Sequence, residues 1–164
     1  MNFQARIGAA PADERLSPID WPSVENGLNH RGAAVLGQLL SPPECREIAS
    51  LYDDDARFRS RIVMARHGFG QGEYKYFSYP LPPLVERLRT GLYPRLAPIA
   101  NAWNERMGIE VRYPREHSDF LKLCHEQGQT RPTPLLLRYE TGDYNCLHQD
   151  LHGALAFPLQ AAIL

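Results

Sequence analysis

Apolar positions recur at helical spacing in three stretches of the chain. Cys45, Ile48, Ala49 and Tyr52 fall at i, i+3, i+4 and i+7, behind Ser41-Pro42-Pro43-Glu44. Ser41 is a good N-cap, Pro42 suits the first helical position and Glu44 sits where a capping box wants it, so this is a short helix ended by Asp53-Asp54-Asp55. Pro82-Pro83 opens a second helix, with Val85, Leu88, Leu92, Leu96, Ile99 and Trp103 at steps of three and four and Gly108 as its close. Pro94 and Pro98 predict a kink or two abutting helices there. Ser118 is the expected cap of a third helix carrying Phe120, Leu121 and Cys124 and ending near Gly128.

The period changes elsewhere. Ala33–Leu36 reads as a short strand, Leu135–Tyr139 as another, Thr141-Gly142-Asp143 as a turn, and Ala154–Leu164 as one or two more strands. Residues 1–23 are polar and Pro/Ala-rich without sustained periodicity, which predicts an irregular N-terminal arm ahead of a domain over 24–164. Helices first and sheet last is an α+β arrangement. Pro158–Leu164 is nearly all apolar with no stop signal, so the chain is expected to be a C-terminally truncated piece of a longer protein.

Composition narrows the field. The 164 residues are 43% hydrophobic and 23% charged, enough apolar material for a packed core. A formal charge of −1 excludes a strongly basic polyanion binder on bulk charge and leaves room for a local basic groove. No apolar run is long enough to span a bilayer, and no apolar core follows a basic start as in a signal peptide. Three cysteines, Cys45, Cys124 and Cys146, form no CxxC pair, which fits reduced, buried structural thiols and a cytoplasmic location. A zinc site built from Cys124, His125, Cys146, His148 and His152 lacks paired ligand spacing.

The densest chemical signal is Arg138-Tyr139-Glu140-Thr141-Gly142-Asp143-Tyr144-Asn145-Cys146-Leu147-His148-Gln149-Asp150. On a strand, His148 and Asp150 at i and i+2 project from one face, an imidazole nitrogen beside a carboxylate. That is two-thirds of a two-His-one-carboxylate facial triad for Fe(II). An HxD pair alone also arises as a surface His and Asp.

The run resembles the Arg-Tyr-x-x-Gly-x-x-Tyr-x-x-His-x-Asp motif of prolyl-hydroxylase-like and alkylated-DNA-repair-like 2-oxoglutarate oxygenases. Here the second tyrosine, Tyr144, precedes His148 by four rather than three. Leu39–Cys45 is similar to a helix entry of such domains. Gly72–Phe77, Ala97–Glu105 and His148–Gly153 resemble a bacterial oxygenase family described as acting oxidatively on damaged DNA.

This resemblance implies N-terminal helices packed on an incomplete double-stranded β-helix, or jelly roll, with 24–164 as the N-terminal portion of the oxygenase domain. It implies Fe(II) held by His148 and Asp150, and 2-oxoglutarate held through the Tyr139 phenol, with ascorbate as a reductant and no catalytic group beyond the metal ligands. It implies oxidative demethylation of an alkylated nucleic-acid base, so DNA is the implied partner and a membrane is not. A prolyl or small-molecule hydroxylase of the same fold, or a non-catalytic degenerate jelly roll, are the alternatives. The superfamily's second His and distal Arg have no match in the 14 residues after Asp150, where His152 is the one histidine.

Between Arg57 and Phe77, basic residues (Arg57, Arg59, Arg61, Arg66, Lys75) interleave with aromatic ones (Phe58, Phe69, Tyr74, Tyr76, Phe77) and with Gly68, Gly70 and Gly72. This suits an extruded base and its phosphates, and equally a solvated face with a β-hairpin lid. Arg66, Lys75, Tyr76 and Arg138 are the candidate substrate-binding residues.

Overall fold

The computed structural model describes residues 12–149, 153 and 155–164. Its helices are α1 (Ala12–Leu16), α2 (Trp21–Arg31), α3 (Pro42–Ser50), α4 (Pro83–Arg106) and α5 (His117–Glu126), and its strands are β1 (Phe58–Val63), β2 (Gly70–Gln71), β3 (Glu73–Phe77), β4 (Leu135–Arg138) and β5 (Tyr144–Asn145). Mixed helix and strand agrees with an α+β class. The strands form an antiparallel β1-β3-β4 sheet and an antiparallel β2-β5 ribbon. Among the described residues they do not close into a jelly roll. No helix among them is long and apolar enough to cross a membrane.

The order is not helices first and sheet last, because two of the three main strands lie between α3 and α4. The segment 1–23 is not wholly irregular either. Its described part contains α1, whose Leu16 is fully buried, and the start of α2. The Leu16 carbonyl accepts a 3.0 Å hydrogen bond from Trp21 Nε1.

Around α3, the Glu44 carboxylate accepts from the Ser41 backbone N–H at 2.9 Å and from its hydroxyl at 2.7 Å. Arg15 of α1 grips the same carboxylate at 2.6 and 3.1 Å, tying the two helices together. These bonds hold Glu44 down at about 2. Only Ile48 and Tyr52 of the expected helical face turn inward, while Cys45 and Ala49 are exposed.

Helix α4 runs unbroken through Pro94 and Pro98, so of the two expected outcomes, a kink or two abutting helices, the second does not occur. Leu84 and Leu88 pack with Leu40 and Ile48 at one end. Tyr93, Ala97 and Ala100 pack with Tyr113 and Phe120 at the other. Each large apolar side chain buried this way stabilises by about 1.5–3 kcal/mol, which offsets the roughly 3 kcal/mol cost of a proline inside a helix.

Two expected strands are absent among the described residues. Residues 33–36 are irregular, and Val35 is 97% exposed. Residues 155–164 run without strand pairing. There the backbone is held by side chains: Gln129 bonds both the N–H and the carbonyl of Leu155, and the Tyr113 hydroxyl donates to the Ala156 carbonyl. Phe157 packs tilted or edge-on against Tyr93, Tyr113 and Phe120, and Pro158 offers no N–H for a ladder.

Candidate functional site

The site is built on β3, whose residues alternate between two faces. Glu73, Lys75 and Phe77 are buried; Tyr74 and Tyr76 lie half-buried on the other side. β4 pairs with it in the register Glu73–Arg138, Tyr74–Leu137, Lys75–Leu136 and Tyr76–Leu135. Tyr139 therefore comes opposite Gly72. Its ring fills the space where a glycine has no β-carbon: a Cβ there would lie 2.9 Å from Tyr139 Cδ1, and Gly72 has φ +113°.

Past Tyr139 the chain turns. The Glu140 N–H donates to Asp143 Oδ2 at 2.8 Å and the Asp143 N–H to the Glu140 carbonyl at 3.0 Å, with Gly142 inside the turn as expected. β5 then lies against β2, and a β-carbon on Gly70 would meet the Tyr144 carbonyl oxygen at 2.1 Å. The Cys146 N–H donates to the Phe69 carbonyl at 2.8 Å. The segment 69–72 is thus a seat for both ends of the turn, Tyr139 on Gly72 and the His148 loop on Phe69 and Gly70. The spacing of Gly68, Gly70 and Gly72 at every second residue is the sequence signal for this seat, since it marks strand positions where another backbone or ring approaches closely.

His148 is exposed on the loop after β5, and its Nδ1 lies 2.7 Å from the Cys146 carbonyl oxygen. A carbonyl only accepts, so Nδ1 is the donor in this contact. Metal-bound histidines are oriented by this kind of bond. Asp150 and His152 lie outside the described residues. Among the described residues no group of three His, Cys, Asp or Glu is placed to hold a metal ion.

The four candidate substrate-binding residues fare differently. Lys75 is not on an accessible surface: it is 6% exposed, donating to the Tyr52 carbonyl and to Asp55 Oδ1, each at 2.7 Å, over the Tyr52 ring. Arg138 points to that same side, where its Nη2 lies 2.6 Å from Glu73 Oε1 and its guanidinium covers the Tyr52 ring. Both serve a buried polar knot centred on Glu73, which also accepts from the Tyr52 hydroxyl at 2.9 Å and from Arg61. Burial pushes the Glu73 carboxyl up, but the bonds from Arg61 and Tyr52 and the Arg138 charge outweigh it and hold it low. Burial and Glu73 drive the Tyr52 phenol up to about 12. Tyr76 stays on the opposite, accessible face, edge-on to Tyr74 and beneath Arg59. Arg66 is exposed on the turn Met64–His67, just ahead of the 69–72 seat.

The thiols also depart from expectation. Cys45 and Cys146 are exposed, and only Cys124 is partly buried, beside α4, where burial pushes its thiol up.

A family model described as an oxygenase "catalysing oxidative methylation of damaged DNA" matches residues 72–164. Over 87 residues the chain is 51% identical to the uncharacterized proteins MT2286 and Rv2227 of two Mycobacterium tuberculosis strains. That match spans 53% of this chain and 37% of each relative, so the chain covers well under half the length of the curated relatives it matches. No solved structure matches.

Proposed function

We propose, for a chain that belongs to the family of oxygenases described as acting on damaged DNA, that it carries the first metal ligands and the keto-acid contact of an Fe(II)- and 2-oxoglutarate-dependent dioxygenase. The observation that supports this most is the orientation of His148 by the Cys146 carbonyl, on a loop seated beside Tyr139. The donor set suits the group: an imidazole in His148 and, two residues later in the sequence, a carboxylate in Asp150.

In this reading bound Fe(II) would activate dioxygen as the oxidant, with oxidative decarboxylation of 2-oxoglutarate to succinate and carbon dioxide supplying two electrons, so that one oxygen atom goes into succinate and the other into a substrate C–H bond. His148 and Asp150 hold the metal. The Tyr139 hydroxyl donates to a carboxylate of the keto acid, a charge-assisted bond. The turn at Gly142 brings these two functions onto one seat. Oxidation of an N-methyl group gives an N-hydroxymethyl group, which leaves as formaldehyde and restores the base N–H.

The test is succinate formation by the full-length protein with Fe(II), ascorbate and an N-methylated oligonucleotide. Formaldehyde and succinate are expected in equal amounts, with both lost in His148→Ala. Coupled turnover on a prolyl peptide or a small molecule, and none on the oligonucleotide, would move the substrate to another member of the same superfamily. No turnover with any of them would remove the oxygenase reading.

A further inference from the structure

A second concave surface lies at the other end of β3 from the Tyr139 seat. Arg59, Ser60, Ser78, Tyr79, Thr130 and Arg131 surround a cavity of about 390 Å³, within the size range of small-ligand sites, about 300–1,000 Å³. Two elements build it: the bulged start of edge strand β1 with the turn after β3, and the segment leading into β4.

The chemistry of the lining is one-sided. It offers two guanidinium groups and four hydroxyls and contains no carboxylate. Among the described residues neither Arg59 nor Arg131 has an acidic partner within ion-pair distance, whereas Arg15, Arg57, Arg61 and Arg138 each have one. Arg59 is held in place: its Nε donates to the Pro132 carbonyl at 3.2 Å, and its plane lies 4.3 Å from the centre of the Tyr76 ring. Arg89 donates to the Tyr79 hydroxyl at 3.2 Å, adding a third positive charge behind the rim. Oriented guanidinium forks with hydroxyl donors are matched to the non-bridging oxygens of a phosphate.

Its position supplies the rest. Tyr76, Tyr74 and Gly72 share one face of β3, and Tyr139 sits on Gly72. Four residues of strand put the cup about 13 Å from Tyr139. Between them lie Tyr74, Tyr76 and the half-exposed Leu137. An aromatic strip with a cationic cup at its end is how single-stranded nucleic acid is held, bases on the rings and backbone on the arginines.

We propose that the Arg59–Arg131 cup binds a backbone phosphodiester of single-stranded DNA whose target base lies toward the Tyr139–His148 seat. This rests on the nucleic-acid reading of the substrate given above.

The experiment is fluorescence anisotropy of a labelled single-stranded oligonucleotide with the full-length protein and no added metal, over a series of salt concentrations. Arg131→Gln and the double variant Arg59→Gln/Arg131→Gln are compared with wild type. Arg131 is exposed, so its replacement leaves the fold in place. The double variant is expected to raise Kd at least tenfold and to flatten the slope of log K against log salt by roughly 0.7, the contribution of the one phosphate that the two arginines no longer neutralise. Arg59→Lys, which keeps the charge, should retain the slope. Unchanged Kd and slope in the double variant would overturn the proposal. So would displacement of the oligonucleotide by inorganic phosphate at comparable phosphate concentration, which would mark a small-anion site. Because the measurement needs no turnover, absence of succinate formation with intact cup-dependent binding would fail the oxygenase reading alone, and turnover with cup-independent binding would fail this proposal alone.

Discussion

Gly72 and Tyr139 fit together as void and filler, the phenol ring of one occupying the place where the other has no side chain. The pair fixes where the chain leaves β4 and so where the turn to His148 begins. An alanine at 72 meets two costs. Its φ of +113° is strained for any L side chain, about 1–3 kcal/mol, and its methyl must push the Tyr139 ring aside. Gly72→Ala should therefore lose about that much stability in urea unfolding and, if Tyr139 holds the keto acid as proposed, weaken 2-oxoglutarate binding. Gly68→Ala is the control, because Gly68 also has positive φ but nothing within 4 Å of its absent β-carbon. It should cost stability and leave keto-acid affinity alone. Equal keto-acid affinity in wild type and Gly72→Ala would dissociate Tyr139 from the keto acid.

Glu73 is the hub beneath the sheet. It is 8% exposed and joins β3 to β1 through Arg61, to β4 through Arg138, and to the turn after α3 through Tyr52. Removing one partner of a fully buried ion pair costs about 3–5 kcal/mol. The Arg61 and Arg138 side chains are 56% and 47% exposed, so solvent relieves part of that loss, and Glu73→Gln should cost about 2 kcal/mol in urea unfolding. The carboxyl is held below its ordinary value when folded. Its contribution is therefore complete above the usual carboxylate range and disappears on acidification. Glu73→Gln should narrow the stability difference between neutral and acidic solution, and an unchanged difference would count against the hub.

What the sequence discloses and what it conceals follow one physical division. Signals carried by neighbours in the chain are legible: the Ser41–Glu44 cap, the Pro83 start of α4, the β4 run, the turn at Gly142. Strand β3 is legible as one arm of the β-hairpin expected between Arg57 and Phe77, and it pairs antiparallel with β1, but its faces are concealed although Glu73-Tyr74-Lys75-Tyr76-Phe77 alternates at period two. Its inward residues include Glu73 and Lys75, which are buried only because Arg61, Arg138, Tyr52 and Asp55 arrive from elsewhere in the chain. A pattern of hydropathy assigns the faces the wrong way round. The apolar tail misleads for a related reason, since its backbone is held by Tyr113 and Gln129 rather than by a ladder. Of the candidate residues, Tyr139 and the His148 loop stand on the same seat, whereas Lys75 and Arg138 turn to acidic partners, Asp55 and Glu73, that spacing does not reveal.

His117 makes a pH prediction. It is 6% exposed, packed against Tyr93 in the aromatic cluster, and burial, helped by the nearby Arg89 charge, pulls its imidazole down to about 4. The folded value lies below the unfolded value of 6.5, so on acidification the unfolded chain takes up the proton first. Stability is full above about pH 6.5 and falls toward pH 4. One proton of linkage over the window from pH 6.5 to 5, above most carboxylates, amounts to about 2 kcal/mol. His117→Phe should flatten that window in urea titrations. An equally steep loss in the variant would assign it to other groups.

The final prediction separates the two roles placed on the turn. If Tyr139 holds the keto acid and His148 the metal, their replacements fail differently. Tyr139→Phe removes one hydroxyl and keeps the ring that fills the Gly72 void, so fold and metal binding should survive. The charge-assisted bond it removes is worth roughly 1.5–3 kcal/mol, or about ten- to a hundred-fold in 2-oxoglutarate affinity. His148→Ala removes the imidazole whose Nδ1 faces the Cys146 carbonyl, and metal affinity should collapse, taking keto-acid binding with it. Both variants should melt within a few degrees of wild type, because Tyr139 is 45% exposed and His148 is at the surface. The measurement is metal binding by calorimetry, with Mn(II) in place of Fe(II) to exclude oxidation, followed by 2-oxoglutarate titration of the loaded protein. Parallel loss of metal and keto acid in Tyr139→Phe would make the tyrosine a structural strut. Full retention of metal in His148→Ala would take the iron away from this loop.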